Sequence, residues 1–353
     1  SKDRVIRFGK KTKSRKVRNR LSYNLGLLSN KLRTFPRVMN NYISLAAGRY
    51  RLRSVEVDLG YRCQLKCDHC YASDLIKKEE KAMPLSNIKI AIDQCVNQGA
   101  IHFLISGGEP LIYPQVFDII SHINKRAAFS CAVTNGVALD SRMIERLAHA
   151  KLDILEISLD SADPSTHDNN RKKQGLHAHV QKMASLCKKK GIEVFYSTVI
   201  TNENLTSRDI EDVIALARKQ GIRNHFCFPV STGSWKEKDM RLSEENMAKA
   251  LALFKEHDIR CCEEGNYGRK GCSAGIEKIC INPYGEVLPC PYIQASFGNL
   301  KKEELRTILA RMRAHYFFKK IDGHCMPSFN KAFIEEFMKR IHQSEELPYK
   351  VYK

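Results

Sequence analysis

Three cysteines fall within eight residues in the segment Cys63-Gln64-Leu65-Lys66-Cys67-Asp68-His69-Cys70-Tyr71. Thiolates so spaced on one loop can converge on a single inorganic centre. A structural zinc takes four protein ligands, and no fourth thiol is supplied locally. An iron–sulfur cube held by three thiolates leaves one iron open to another ligand. The position of the triplet, directly after an apolar strand-like run, favours the cube over a zinc knuckle.

Further motifs close the next strand-like runs. Ser106-Gly107-Gly108-Glu109-Pro110 follows the second, Thr134-Asn135-Gly136 the third and Ser158-Leu159-Asp160 the fourth. Glycines at a strand end let backbone carbonyls come close to an ammonium group. With the cysteine triplet and the aromatic Tyr71 behind it, these motifs resemble the radical S-adenosylmethionine (radical SAM) superfamily over residues 54–230. The resemblance implies that Cys63, Cys67 and Cys70 hold a 4Fe-4S cluster, followed by Tyr71. It assigns Ser106, Gly107, Gly108 and Glu109 to the amino group of S-adenosylmethionine. Thr134, Asn135, Ser158 and Asp160 are assigned to its ribose and methionyl ends. Arg171 looks like the arginine that contacts the cofactor carboxylate in such enzymes, at a loose spacing that an ordinary surface arginine also satisfies.

The implied chemistry follows from the open iron. The amino and carboxylate groups of S-adenosylmethionine chelate it, and one electron breaks the sulfonium carbon–sulfur bond. The resulting 5′-deoxyadenosyl radical takes a hydrogen atom from an unactivated carbon, while the protein positions the substrate and excludes water. Cys227, on the sixth strand, is a candidate hydrogen donor. The buried-looking Cys95, Cys131 and Cys187 read as small core residues. A reducing partner such as a flavodoxin or ferredoxin is expected.

A second cysteine group lies near the C-terminus. Cys272-Ser273-Ala274-Gly275, Gly285-Glu286-Val287-Leu288-Pro289-Cys290 and Phe297-Gly298-Asn299-Leu300 resemble the SPASM/Twitch extension of radical SAM enzymes. There a β-hairpin carries cysteines of an auxiliary cluster, and Asn282-Pro283-Tyr284-Gly285 suits the turn. The resemblance implies one auxiliary 4Fe-4S cluster on Cys272, Cys290 and Cys325. Related modules often continue with a second cysteine, but this chain reads Cys325-Met326-Pro327-Ser328. The cluster is therefore expected to keep an open iron or to recruit Cys280, Cys261, Cys262 or His324.

The elements that must position these residues alternate. Strand-like runs at Val55–Leu59, Ile101–Ile105, Phe129–Val133, Leu152–Leu159, Val194–Ile200 and Phe226–Val230 enclose helical patterns near 84–98, 115–126, 140–150, 177–190 and 207–220. Such alternation predicts βαβ units in an α/β fold, a partial (β/α)6 barrel of parallel strands with its functional loops at the strand carboxyl ends. Further helices are expected near 243–256 and 302–318. The expected domains are a basic amphipathic N-terminal helical arm, 1–53, the radical SAM partial barrel, 54–234, and a β-hairpin/helix auxiliary-cluster module, 235–353.

The 353 residues are 43% apolar and 28% charged, which excludes wholesale disorder. No window approaches the ~18 apolar residues of a membrane span, and no secretory signal is evident. Thirteen cysteines without an export signal point to metal binding or chemistry in a reduced, cytoplasmic compartment. The charge is lopsided: residues 1–53 hold sixteen Lys or Arg and the single acid Asp3, fifteen of the twenty net positive charges.

Leu21, Leu25, Leu28, Leu32 and Phe35, then Met39, Tyr42, Ile43 and Ala46, form an apolar stripe within the arm. Bordered by basic residues, it has the composition of a helix lying on an anionic membrane surface, peripheral on the inner face. Alternatively the stripe packs across the barrel. A nucleic-acid arm is disfavoured, because no base-stacking module accompanies it. These features lead to an expected substrate on the membrane, a lipid or a lipid-linked sugar or headgroup. The alternatives are maturation of a ribosomally made peptide, by epimerisation or cross-linking, and RNA modification.

Overall fold

The computed structural model describes residues 32–75, 81–261, 266–267, 271–321 and 323–352. Most of the basic arm, and Cys262, lie outside the described residues. The described residues open with a 3-10 turn, Leu32–Thr34, and α1, Phe35–Ala46, and then alternate through β1, Ser54–Asp58; α2, Leu85–Asn97; β2, His102–Ser106; α3, Val116–Lys125; β3, Phe129–Thr134; α4, Ser141–His149; and β4, Ile154–Ser158. Two helices follow, α5, Pro164–Arg171, and α6, Leu176–Lys189, before β5, Glu193–Val199. Then come α7, Asn202–Thr206; α8, Asp209–Gln220; β6, Arg223–Cys227; and α9, Glu244–His257.

β1 to β6 lie side by side in sequence order, every neighbouring pair parallel. This is the curled half-barrel expected of right-handed βαβ units. Period-2 alternation sorts its two faces. Val55 and Val57 join the main core under the helices, with Phe103, Ile105, Leu155 and Tyr196. Their neighbours Glu56, Leu104, Cys131, Glu156 and Phe195 point the other way, and Cys131, Ile154, Phe195 and Leu104 form a separate apolar plug. Burying carboxylates on the inner face requires partners. Glu156 accepts from His225 Nδ1 at 2.7 Å, and Glu56 lies 3.6 Å from Lys278 Nζ.

Strands are added at both edges. β7, Arg260–Cys261, pairs with β6, and β8, Lys278–Ile281, runs parallel to β1. β8 then turns back into β9, Val287–Leu288, as the expected hairpin. A small parallel pair, β10, Ala295–Ser296, and β11, Tyr349–Lys350, closes the C-terminal region around α10, Leu305–Ala314. Phe297, Phe318, Phe333 and Phe337 interlock there with ring centroids 5.3–6.0 Å apart.

Two expectations are corrected. The sixth strand is Arg223–Cys227 rather than Phe226–Val230, because the polar Arg223 and His225 face inward, where periodicity of apolar residues does not show them. The apolar stripe of α1 does not pack across the barrel. That helix docks by its polar side, at the amino end of the strands. Thr34 Oγ1 donates to Ala127 O at 2.8 Å, Arg37 donates to Ala100, Arg126 and Ala127 carbonyls, and buried Asn41 donates to Gly99 O and Tyr267 Oη.

Candidate active site

The triplet occupies the long loop after β1, and three neighbouring segments hold that loop. From the β2 end, Gly108 N donates to Gly60 O at 2.8 Å and Glu109 N to Arg62 O at 3.0 Å. A Cβ on Gly107 (φ +118°) would stand 2.3 Å from Gly60 O, and one on Gly108 only 2.4 Å from Arg62 O. The glycines are therefore demanded by contact with the cysteine loop itself, before any ammonium group is considered. Gly107 O also accepts the Tyr71 hydroxyl at 3.2 Å.

From the end of α5, Asn170 O accepts Asp68 N at 3.1 Å and Lys172 Nζ pairs with Asp68 at 2.6 Å. Asp163 caps this short polar helix through Thr166 N, at 2.7 Å. From the loop after β6, Ser234 N donates to Cys70 O at 2.9 Å, and a Cβ on Gly233 (φ +55°) would come within 2.2 Å of that carbonyl. The Gly233 and Ser234 contact carries no motif and was not foreseen. Nor was Trp235, whose ring lies 5.8 Å from that of His69.

The side chains assigned to the cofactor divide into two groups. Glu109 is fully buried and accepts from Leu111 N, Thr134 Oγ1 and Asn135 N at 2.8–3.1 Å, so Glu109 and Thr134 pin the β2 and β3 loops together. That pin presents Asn135, whose Nδ2 reaches Cys63 Sγ at 3.3 Å. At the β4 end, Arg171 binds Asp160 through Nε at 2.7 Å and Nη2 at 2.6 Å, and turns Nη1 to Cys67 Sγ at 3.8 Å. Burial alone would raise the Asp160 carboxyl; Arg171 and then His69 hold it below the usual carboxylate range instead. Arg171 is thus a buried, paired residue and not a surface arginine. Ser106 and Ser158 end their strands buried, and Cys227 ends β6 half-buried, opposite Val199.

Cys63 is exposed, while Cys67 and Cys70 are half-buried; Cys63 bears on the ionisation of both, and Cys70 on that of Cys67. Burial pushes the Cys67 thiol up to about 11, against the pull of Arg171. Among the described residues no three Cys, His, Asp or Glu side chains stand at metal-coordinating spacing. The fit of an iron–sulfur cluster therefore rests on donor chemistry, and the loop offers what one needs: three thiols, with Asn135 and Arg171 N–H groups aimed at two of the sulfurs. Such donors stabilise bound thiolates and tune a cluster.

The segments that carry the second cysteine group pack on the loop that carries the first. Tyr61, Ala72 and Leu75 of the cysteine loop pack with Tyr284 of the β8–β9 turn, and the rings of Tyr71 and Tyr292 meet edge-on at 5.4 Å. Cys290 is buried near Cys272, close enough for the two to influence each other. Cys325 is buried, with its Sγ 3.4 Å from Ser328 Oγ; that hydroxyl donates to Pro229 O, just past β6, at 2.7 Å. Cys280 sits on β8 facing β1, with its Sγ 3.7 Å from Asp58 Oδ2. Cys272 and Cys290 are thus close to one another, while Cys325 follows α10 in the chain.

A cleft of about 790 Å³ opens beside Asp68 and His69 of the cysteine loop, lined also by Asp160, Thr201, Trp235 and acidic residues that follow β4 and β5. Its volume is that of an ordinary ligand site.

Residues 57–217 match the Radical SAM superfamily, and residues 272–328 match an iron–sulfur cluster-binding domain, SPASM. The AdoMet-dependent heme synthase of Methanosarcina barkeri is 26% identical over 286 residues, which cover 72% of this chain and 81% of the relative. The antilisterial bacteriocin subtilosin biosynthesis protein AlbA of Bacillus subtilis is 26% identical over 289 residues, 76% of this chain and 63% of AlbA. In fold, the chain is similar to Streptococcus suis SuiB, solved with its precursor peptide SuiA. The TM-score is 0.61 at 15% identity, over 90% of this chain and 74% of SuiB. The strand-end loops, the cysteine triplet and both sequence matches agree: the chain belongs to the radical SAM superfamily and is an enzyme that carries a SPASM iron–sulfur domain.

Proposed function

We propose that this enzyme modifies a ribosomally made peptide. The carrying observation is the acidic cleft. Besides Asp160, Asp68 and Asp239, which pair with Arg171, Lys172 and Arg241, it presents Asp163, Glu203, Asp209 and Asp212, against Lys238. A field of that sign repels polycarboxylate ligands and draws neutral or basic ones. The propionates of a tetrapyrrole or an anionic lipid headgroup are therefore poorly matched. A peptide with basic or neutral side chains is well matched. The likeness to the bacteriocin biosynthesis protein supports the same reading, and it replaces the membrane lipid as the preferred substrate.

In this reading Cys63, Cys67 and Cys70 hold the catalytic cluster, with S-adenosylmethionine on its open iron. Cys272, Cys290 and Cys325 hold one auxiliary cluster. When bound, the first cluster and its cofactor supply reductive homolytic chemistry that removes a hydrogen atom from an unactivated carbon. The chain's residues set the stage. Asn135 and Arg171 hold the sulfurs through N–H groups, and Gly107 and Gly108 keep the loop pressed on β2. Trp235 and His69 wall the cleft where a peptide would enter. In this reading Cys227, at the end of β6, returns a hydrogen atom to a substrate carbon. The enzyme needs an electron donor such as a flavodoxin or ferredoxin.

The test uses the full chain, reconstituted without oxygen and given S-adenosylmethionine, a chemical reductant and a small peptide encoded beside its gene. Loss of a hydrogen pair, or an inverted stereocentre at unchanged mass, supports the proposal. An unmodified peptide together with conversion of a tetrapyrrole or lipid overturns it.

A further inference from the structure

Helix α1 is inside out. Taken with the turn Leu32–Thr34 that leads into it, its polar residues Thr34, Arg37 and Asn41 face the barrel, and Thr34 and Asn41 are fully buried. The apolar residues stand outward: Leu32, Phe35, Met39, Tyr42 and Ile43 are 43–70% exposed. Steps of three, four, three and one place them on a single helical face. They account for five of the nine exposed large apolar side chains among the described residues. A soluble protein rarely leaves such a ridge uncovered without a use for it. Side-chain hydrogen bonds to five groups at the amino end of the barrel fix its direction, so the ridge cannot simply roll inward.

We propose that this ridge is a docking surface for an anionic membrane, independent of which substrate the active site takes. Charge identifies the occupant. Exposed Arg33 and Arg49 stand at the two ends of the ridge. The 31 residues that precede it hold eleven Lys or Arg and the single acid Asp3. An apolar face a few turns long, with basic residues around it, suits the interface between headgroups and acyl chains. A second copy of this chain would bring another strongly positive segment against the first, which like-charge repulsion opposes. Among the described residues no helix is long and apolar enough to cross a membrane, so the contact is one of lying on the surface. The ridge sits at the amino end of the strands and the active-site cleft at the carboxyl end, so docking leaves the cleft facing away from such a surface.

The experiment is flotation of the full, reconstituted enzyme with phosphatidylglycerol/phosphatidylcholine vesicles and with pure phosphatidylcholine vesicles, for wild type and for the double substitution Phe35→Gln, Ile43→Gln. Both positions are exposed, so the fold and S-adenosylmethionine cleavage in solution are expected to be unchanged. The expected result is flotation with the anionic vesicles only, weakened by added salt, and reduced about tenfold by the double substitution. Three results overturn the proposal. The enzyme fails to float, or the double variant floats as wild type does, or the ridge proves to be a dimer contact that the double substitution dissolves in sedimentation. Retention on RNA without flotation would equally reassign the basic segment to nucleic acid.

Discussion

Arg171 and Asp160 form a buried two-pronged ion pair, 2.6 and 2.7 Å long, at the point where the β4 loop meets the cysteine loop. Removing one member leaves the other charged and buried, which costs ~3–5 kcal/mol in comparable cases. Arg171→Met is therefore expected to destabilise the protein strongly. Arg171→Met combined with Asp160→Asn is expected to recover a good part of the loss, because the stranded charge is gone. Urea denaturation of the two singles and the double measures it, and the coupling should be ~2 kcal/mol. Additive losses would mean that the two residues act separately.

Gly108 offers a steric test of the cysteine loop. An added Cβ meets the Arg62 and Tyr61 carbonyls at 2.4 and 2.5 Å, both of them backbone atoms that cannot swing away. Gly108→Ala should displace the loop while leaving the barrel folded. Far-ultraviolet circular dichroism is expected to stay unchanged, and iron bound per chain after reconstitution is expected to fall severalfold. Full iron content in this variant would show that the loop tolerates the shift.

Much of this was legible in the sequence, and the exceptions share a physical cause. β1 to β5 announce themselves because their apolar residues are consecutive or alternate cleanly. β6 hides because Arg223 lies over the Phe195 ring at 4.4 Å and His225 is paired with Glu156, so polar residues fill inward positions that look like surface. Helix α5 is Pro-Ser-Thr-His-Asp-Asn-Asn-Arg and has almost no apolar face. It exists through its Asp163 cap and through Asp168, which accepts from Gly175 N and His177 N. The Asp163 cap before Pro164 is a local signal, but without an apolar stripe the segment offers no helical period to read. The cysteine and glycine motifs were readable as a site, yet the partners that hold them could not be read: Asn170, Gly233, and the guanidinium of Arg171 on a sulfur. The face by which α1 docks was likewise hidden, since three polar residues, not its apolar stripe, decide it.

Two buried histidines should make the protein sensitive to acidification. His167 is fully buried, its Nδ1 accepts Asp160 N at 3.1 Å, and burial pushes the imidazole from 6.5 down to about 4. His102 is pushed further, to about 3, also by burial. Between pH 6.5 and about 4 the unfolded chain binds protons that the folded chain refuses. Stability therefore falls as pH is lowered through that window and is fully restored above it. His167→Asn, which keeps a polar acceptor for the Asp160 amide, should flatten the slope of unfolding free energy against pH over this range. An unchanged slope would place the proton uptake elsewhere.

The auxiliary cluster is open to a direct count. Cys272 and Cys290 are neighbours, whereas Cys325 follows α10 in the chain with its sulfur beside Ser328, where a second cysteine is common in related modules. If these three thiols hold one 4Fe-4S cluster, replacing all three with alanine should remove about four irons per chain and leave the triplet's cluster in place. Replacing Cys63, Cys67 and Cys70 should remove a similar number independently. The two losses should add, and spectra of the singly loaded proteins should sum to that of wild type. Ser328 refines the expectation. Its hydroxyl is held by the Pro229 carbonyl at 2.7 Å, away from a ligand role, so Ser328→Ala should keep the iron count. Iron that does not change in the Cys272/Cys290/Cys325 variant would reduce the domain to a folded cap over the cysteine loop, held by its tyrosine contacts and empty of metal.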